Sequence, residues 1–200
     1  MASVNRAAVA GAAAVAMAVS VGLAGGATPA VAGGKDWIHA WGRFAPWDKD
    51  FKPGAVTYDT DAVPAGASID VEKSADSSGT TVRVRLKGIE ADRAFDVRVH
   101  TGPCGALPDD SGQRYQDRVD PKQPSVDPAF ANRRNEVWLN FTTDRKGAGE
   151  AVSHNAWRFR PGKAGSVVLH GRTTARGGHG EAPAAEERLA CFTVPFGAKR

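Results

Sequence analysis

From Ala55 onward, apolar and polar residues alternate in short runs, and a period of two predicts strands rather than helices. Thr81–Lys87 sets Val82, Val84 and Leu86 against Arg83, Arg85 and Lys87. Phe95–His100 sets Phe95, Val97 and Val99 against Asp96, Arg98 and His100. Each pattern predicts a strand with one face in a core and the other in water. Further runs at Ala55–Tyr58, Ala67–Glu72, Glu136–Thr142, Ala151–Phe159, Ser166–His170 and Leu189–Val194 bring the candidate strands to eight. A turn at Val63-Pro64-Ala65-Gly66 separates the first two of the chain. Between His100 and Glu136 runs a polar stretch with five prolines and no clear period, a long loop of the kind that carries function. Short antiparallel strands joined by long connections predict an all-β Greek-key barrel or sandwich.

The N-terminal part reads differently. In Gly33 to about Pro53, Trp37, Trp41, Phe44, Trp47 and Phe51 recur at helical spacing, but Gly42 and Pro46 argue against a regular helix. Two uses are open: an aromatic platform, for instance for sugar rings, or a leader that lays its aromatics over the barrel. Packing is the commoner fate of such rings. Before this segment, Arg6, the apolar run Ala7–Leu23 and the small-x-small triplet Ala30-Val31-Ala32 predict a signal peptide cut before Gly33, with an uncleaved anchor as the alternative. The expected organisation is therefore a signal peptide over 1–32, an aromatic-rich leader over 33–54 and a β-domain over 55–200. The protein is expected to be secreted, with no membrane span left after cleavage.

Composition narrows the classes. Of 200 residues, 42% are hydrophobic and 24% charged, a globular balance that excludes wholesale disorder. The 23 Gly and 12 Pro favour many turns, hence short strands over a helical bundle. A net charge of +4 without a long basic run suits a small anion better than nucleic acid, and no nucleic-acid partner is expected. Cys104 and Cys191 are too few for a zinc site or a C-x-x-C motif, and in an exported protein two cysteines more often pair than stay free.

Particular residues add a family likeness. Arg98-Val99-His100 closes one strand with Cys104 just beyond; Ser166-Val167-Val168-Leu169-His170 follows late in the chain, and Arg188-Leu189-Ala190-Cys191 stands near its end. From Ala55 to Phe196 this order resembles the copper–zinc superoxide dismutase family, with its His-x-His strand, loop cysteine, late V-x-H strand and terminal R-L-A-C. The resemblance implies an eight-stranded antiparallel Greek-key barrel with long loops and its metal site on the outer face. It also implies a Cys104–Cys191 disulfide, and it puts Arg188 in the place of the arginine that draws superoxide toward copper.

The same alignment removes much of the metal site. The family holds copper with four imidazoles, but here Arg98 replaces the first histidine, and Gly112-Gln113-Arg114 stands where a G-x-H bridging histidine is expected. His100 and His170 keep their places as relic copper ligands. No histidine lies between His100 and His154, and Asp117, Asp120, Asp127 and Glu136 do not compose a histidine-rich zinc site, so zinc is not expected. Thr174 replaces an acidic residue often found after the last copper histidine. Arginine stays protonated and has no lone pair, so it repels a metal ion rather than ligating it. His179, within Arg176-Gly177-Gly178-His179-Gly180, is a candidate recruited ligand. His39 and His154 read as structural, and neither Ser153 nor Ser166 sits in an activating motif.

The expectation that follows is a secreted, superoxide-dismutase-like protein with little or no dismutase activity. Arg98, Arg114 and Arg188 would line an anion pocket, each arginine needing a carboxylate or an anion, with Asp117 or Glu136 as the expected partners. Copper would be weakly held or absent. Two alternatives stand beside it: a copper-only superoxide dismutase using His100, His170 and His179, or an extracellular anion- or partner-binding module working through the aromatic leader. The sequence leaves the oligomeric state open.

Overall fold

The computed structural model describes residues 36–171 and 187–196. The expected signal peptide, the start of the leader, Thr174 and His179 lie outside these residues. Nine strands form: β1 (Asp36–Arg43), β2 (Ala55–Thr57), β3 (Ser68–Asp76), β4 (Gly79–Lys87), β5 (Ala94–His100), β6 (Phe141–Thr142), β7 (Gly149–Asn155), β8 (Ser166–Gly171) and β9 (Arg188–Thr193). The described residues contain no α-helix, only a 3-10 turn at Pro108–Ser111. The all-β expectation holds.

The strands make two antiparallel sheets, ordered β1-β3-β4-β7 and β2-β9-β8-β5-β6. At one margin the chain itself joins them: the Phe44 amide donates to the Ala67 carbonyl at 2.9 Å, and the Ala45 amide donates to Ala55 at 3.1 Å. At the other margin no ladder joins β6 to β7 among the described residues. Phe141 lies there against Gly149, where a Cβ would come within 2.2 Å of the ring. The described residues thus form nine strands in two antiparallel sheets, with no closed barrel among them. The expected strand Glu136–Thr142 supplies a two-residue ladder at Phe141–Thr142, preceded by an isolated bridge between Trp138 and Arg98 and a bond from the Leu139 amide to the Val97 carbonyl.

The core lies between the sheets. Ile69, Val71, Val82, Val84 and Leu86 of one face Phe95, Val97, Val99, Val167, Leu169, Leu189 and Phe192 of the other, all buried. β3 and β4 form a hairpin through Ser77-Ser78, where Asp76 Oδ1 accepts from the Ser78 amide at 2.8 Å. Gly79 then takes a φ of +131°, and a Cβ there would lie 2.1 Å from the Asn155 carbonyl oxygen. β7 ends at Asn155, four residues before the expected boundary, because Trp157 and Phe159 leave the sheet to pack with Tyr115 and Phe196.

The leader is a strand and not a helical stripe. Ile38 and Ala40 pack against the core, and Phe44 is buried in it. Trp37 and Trp41 point the other way and are 60% and 72% exposed. No helix of the described residues is long and apolar enough to cross a membrane.

Candidate functional site

On β5 the core takes Phe95, Val97 and Val99, which leaves Asp96, Arg98 and His100 on the outer face of the five-stranded sheet. In β8 the same alternation turns Val168 and His170 outward beside them. A register shift between Leu169 and His170, in the pairing with β9, sets Arg188 opposite His170. Such irregularities re-aim side chains. This face is not solvated, because the loop after β5 folds back over it.

The loop is tied down at several points. Thr101 N–H donates to the Gln113 carbonyl at 2.9 Å, Gly102 N–H to Ser111 at 2.8 Å, and Tyr115 N–H to Val99 at 2.8 Å. The expected disulfide between Cys104 and Cys191 fixes the loop to β9. Beneath it Arg98, His100 and His170 are only 3%, 1% and 2% exposed.

The two histidines fold toward each other along the sheet, their rings stacked at 5.2 Å between centroids and Nε2 facing Nε2 at 3.1 Å. His100 Nδ1 lies 3.0 Å from the Gly112 carbonyl oxygen, so it carries the proton and donates. His100 Nε2 is then an acceptor, and His170 Nε2–H is its donor. Gly112 makes this possible with a φ of +70°; a Cβ there would lie 2.5 Å from Thr101 Oγ1. Burial drives the His100 imidazolium pKa down to about 3, reinforced by the charges of Arg188, Arg114 and Arg98. His100 is neutral at any physiological pH.

Each arginine has its own anchor. Arg98 stacks its guanidinium 4.4 Å over the Trp138 ring, donates to the Val97 carbonyl at 3.0 Å and to Asn140 Oδ1, and lies 3.5 Å from Asp96. Arg188 donates to the Pro108 carbonyl at 2.9 Å and Ser111 Oγ at 2.8 Å, with Asp109 at 3.5 Å. Arg114 bridges to His100 through the backbone. Of the carboxylates expected beside these arginines, Asp117 lies 3.9 Å from Arg160, and Glu136 accepts from Gln116 at 2.9 Å and Trp138 at 2.8 Å. Asp96, two residues from Arg98 on one strand face, lies beside its guanidinium.

The donor set can be weighed against a metal. Two imidazole nitrogens bonded to one ion at ~2.0–2.1 Å and subtending a near-right angle lie about 3 Å apart, so the Nε2 spacing suits co-ligation. The remaining copper places hold arginine, and no third histidine, cysteine or carboxylate joins the pair within ligating reach among the described residues. Among the described residues, the histidine pair and its neighbours fit neither a four-imidazole copper shell nor a histidine-rich zinc site. The one three-residue group within 4.8 Å is His39, Asp70 and Glu72 on the other sheet, where Arg85 occupies both carboxylates at 3.2 and 3.1 Å.

Sequence reasoning missed Trp138, Asn140 and the Gly112 carbonyl as parts of this site. Asp96 was legible through its shared face with Arg98; Trp138 gave no signal, because its position depends on the return of residues 136–140 alongside β5. No protein-family model matches the chain, and no curated protein is significantly similar to it.

Proposed function

We propose that this is an exported, superoxide-dismutase-like protein whose former copper position has become an arginine-rimmed pocket for a small inorganic anion, with little or no dismutase activity. The observation that carries the proposal is the His100–His170 pair, closed on itself by one hydrogen bond, with a neutral His100 set in the field of three arginines. Its place on the outer sheet face, under a disulfide-bound loop with Arg188 opposite His170, supports the family likeness and the Greek-key reading. The bonded cysteines and the Ala30-Val31-Ala32 triplet support export. A metal would have to break the imidazole–imidazole bond and approach fixed positive charge, whereas an oxyanion gains charge-assisted hydrogen bonds from the same guanidinium groups.

The test is thermal. Sulfate and phosphate should raise the melting temperature above that in chloride at matched ionic strength, and Arg188→Gln should reduce the difference. Equal melting temperatures in all three salts would remove the anion pocket.

A second reading, a copper-only superoxide dismutase, draws on the 3.1 Å Nε2 spacing alone. Its ligands would be His100 and His170, with His179 recruited to them. Replacing both Arg98 and Arg114 with histidine should then strengthen copper binding by orders of magnitude, and His179→Ala should weaken copper binding in the unaltered protein.

A further inference from the structure

The outer face of the four-stranded sheet carries a feature that the histidine pocket does not use. Trp37, His39 and Trp41 stand in line on the exposed side of β1. The two indoles are separated by four residues, or about 13 Å along a strand. The His39 ring lies 5.7 Å from that of Trp37 and is held by Asp70 at 2.6 Å.

Across the face, Asp70 and Glu72 of β3 meet Arg83 and Arg85 of β4, and these meet Glu150 of β7. Arg85 lies 3.2 Å from Asp70, 3.1 Å from Glu72 and 3.6 Å from Glu150, and Arg83 also pairs with Glu150. Three carboxylates against two guanidinium groups leave these residues with one negative charge in excess, so the face offers many hydrogen-bonding atoms and little attraction for an anion. Two large aromatic rings left in water, at separate points and with a polar histidine between them, do not form the continuous apolar core of a protein interface.

We infer that this face binds an uncharged, β-linked polysaccharide. A β-linked pyranose ring with equatorial hydroxyls presents a flat face of C–H groups, which stacks on the electron-rich face of an indole. Its rim of hydroxyls matches the carboxylate and guanidinium groups of the lattice, which accept and donate respectively. An extended chain of such rings is a flat ribbon, and sugars about two to three units apart along it reach Trp37 and Trp41 while its edge lies over His39 and Asp70. The slight negative excess of the lattice favours an uncharged ribbon over a polyanion.

The experiment is depletion of the intact protein from solution by insoluble cellulose and chitin, followed by titration with cellohexaose and chitohexaose. At least one polymer should deplete the protein. Trp37→Ala and Trp41→Ala should each weaken oligosaccharide binding about tenfold, and the double variant should abolish depletion. Both side chains are exposed, so the variants should melt at the temperature of the parent protein, and that melt separates lost binding from lost fold. No depletion by either polymer, or depletion undiminished in the double variant, would overturn the inference. So would reversible self-association of the parent that the double variant loses, because a second copy would then occupy the face.

Discussion

The outer faces of the two sheets begin from the same sequence pattern and end in different environments. β4 and β5 both alternate apolar with charged residues, and β4 carries Arg83 and Arg85 and β5 Arg98 on the non-core side. On the four-stranded sheet those arginines stay in water, Arg83 and Arg85 about two-fifths exposed amid exposed acids. On the five-stranded sheet the chain from Thr101 to Asn135 returns over the surface, and Arg98 and His100 are buried. Alternation tells which residues avoid the core. It does not tell whether the other side meets water, because that depends on a cover supplied by a distant stretch of chain. The comparison explains why a buried arginine here is a costly, specific device, whereas an exposed one belongs to a loose lattice.

The strongest way to break the difference is to release the cover. Replacing Cys104 and Cys191 with serine removes a tether across 87 residues, for which the chain-entropy account gives a loss of about 4–5 kcal/mol. Urea denaturation should show that loss. Amide hydrogen exchange should accelerate at His100 and Gly112 while the β3–β4 hairpin stays protected.

Next in size is Arg98→Met. It takes the guanidinium from Trp138 and Asn140 and leaves the Asp96 carboxylate, 14% exposed, beside an apolar chain. A loss of about 3 kcal/mol in denaturant unfolding is expected. Arg85→Met on the open face should leave the melting temperature nearly unchanged. Similar losses for both would erase the distinction between the faces.

A smaller effect comes from pH in metal-free protein. The His100 pKa is about 3 when folded, below the ordinary 6.5, so between these values the unfolded chain binds a proton that the native protein excludes. Stability is full above pH 6.5 and falls toward pH 3, at about 1.4 kcal/mol per pH unit from this group. The groups facing it are His170, Arg98, Arg114 and Arg188. Unfolding free energies measured from pH 7 to 4.5 should show that slope, and His100→Gln should flatten it.

Much of this was legible in the sequence, and the misses share a cause. Thr81–Lys87 and Phe95–His100 fall within observed strands, and the paired cysteines are bonded. In the leader a spacing of four serves two geometries: Trp37 and Trp41 lie on one face of a helix, and also on one face of a strand. The pairing of β1 with β3, a contact between residues about thirty apart, decides between them. Residues 136–140 alternate as a strand should, but Glu136 and Asn140 are drawn into bonds with Gln116 and Arg98. The site followed the same rule. His100 and His170 were identifiable by position, whereas their approach to 3.1 Å and their arginine setting depend on folding across 70 residues.

The measurement that bears most directly on the proposed pocket is copper stoichiometry. The mature protein is loaded with copper and dialysed, and its metal content and superoxide dismutation are then determined together. Two imidazoles bonded to each other within a ring of fixed positive charge predict well under one equivalent of copper, with no more activity than loosely held copper gives. One tightly held equivalent with fast dismutation would contradict the account and establish the copper-only enzyme in its place.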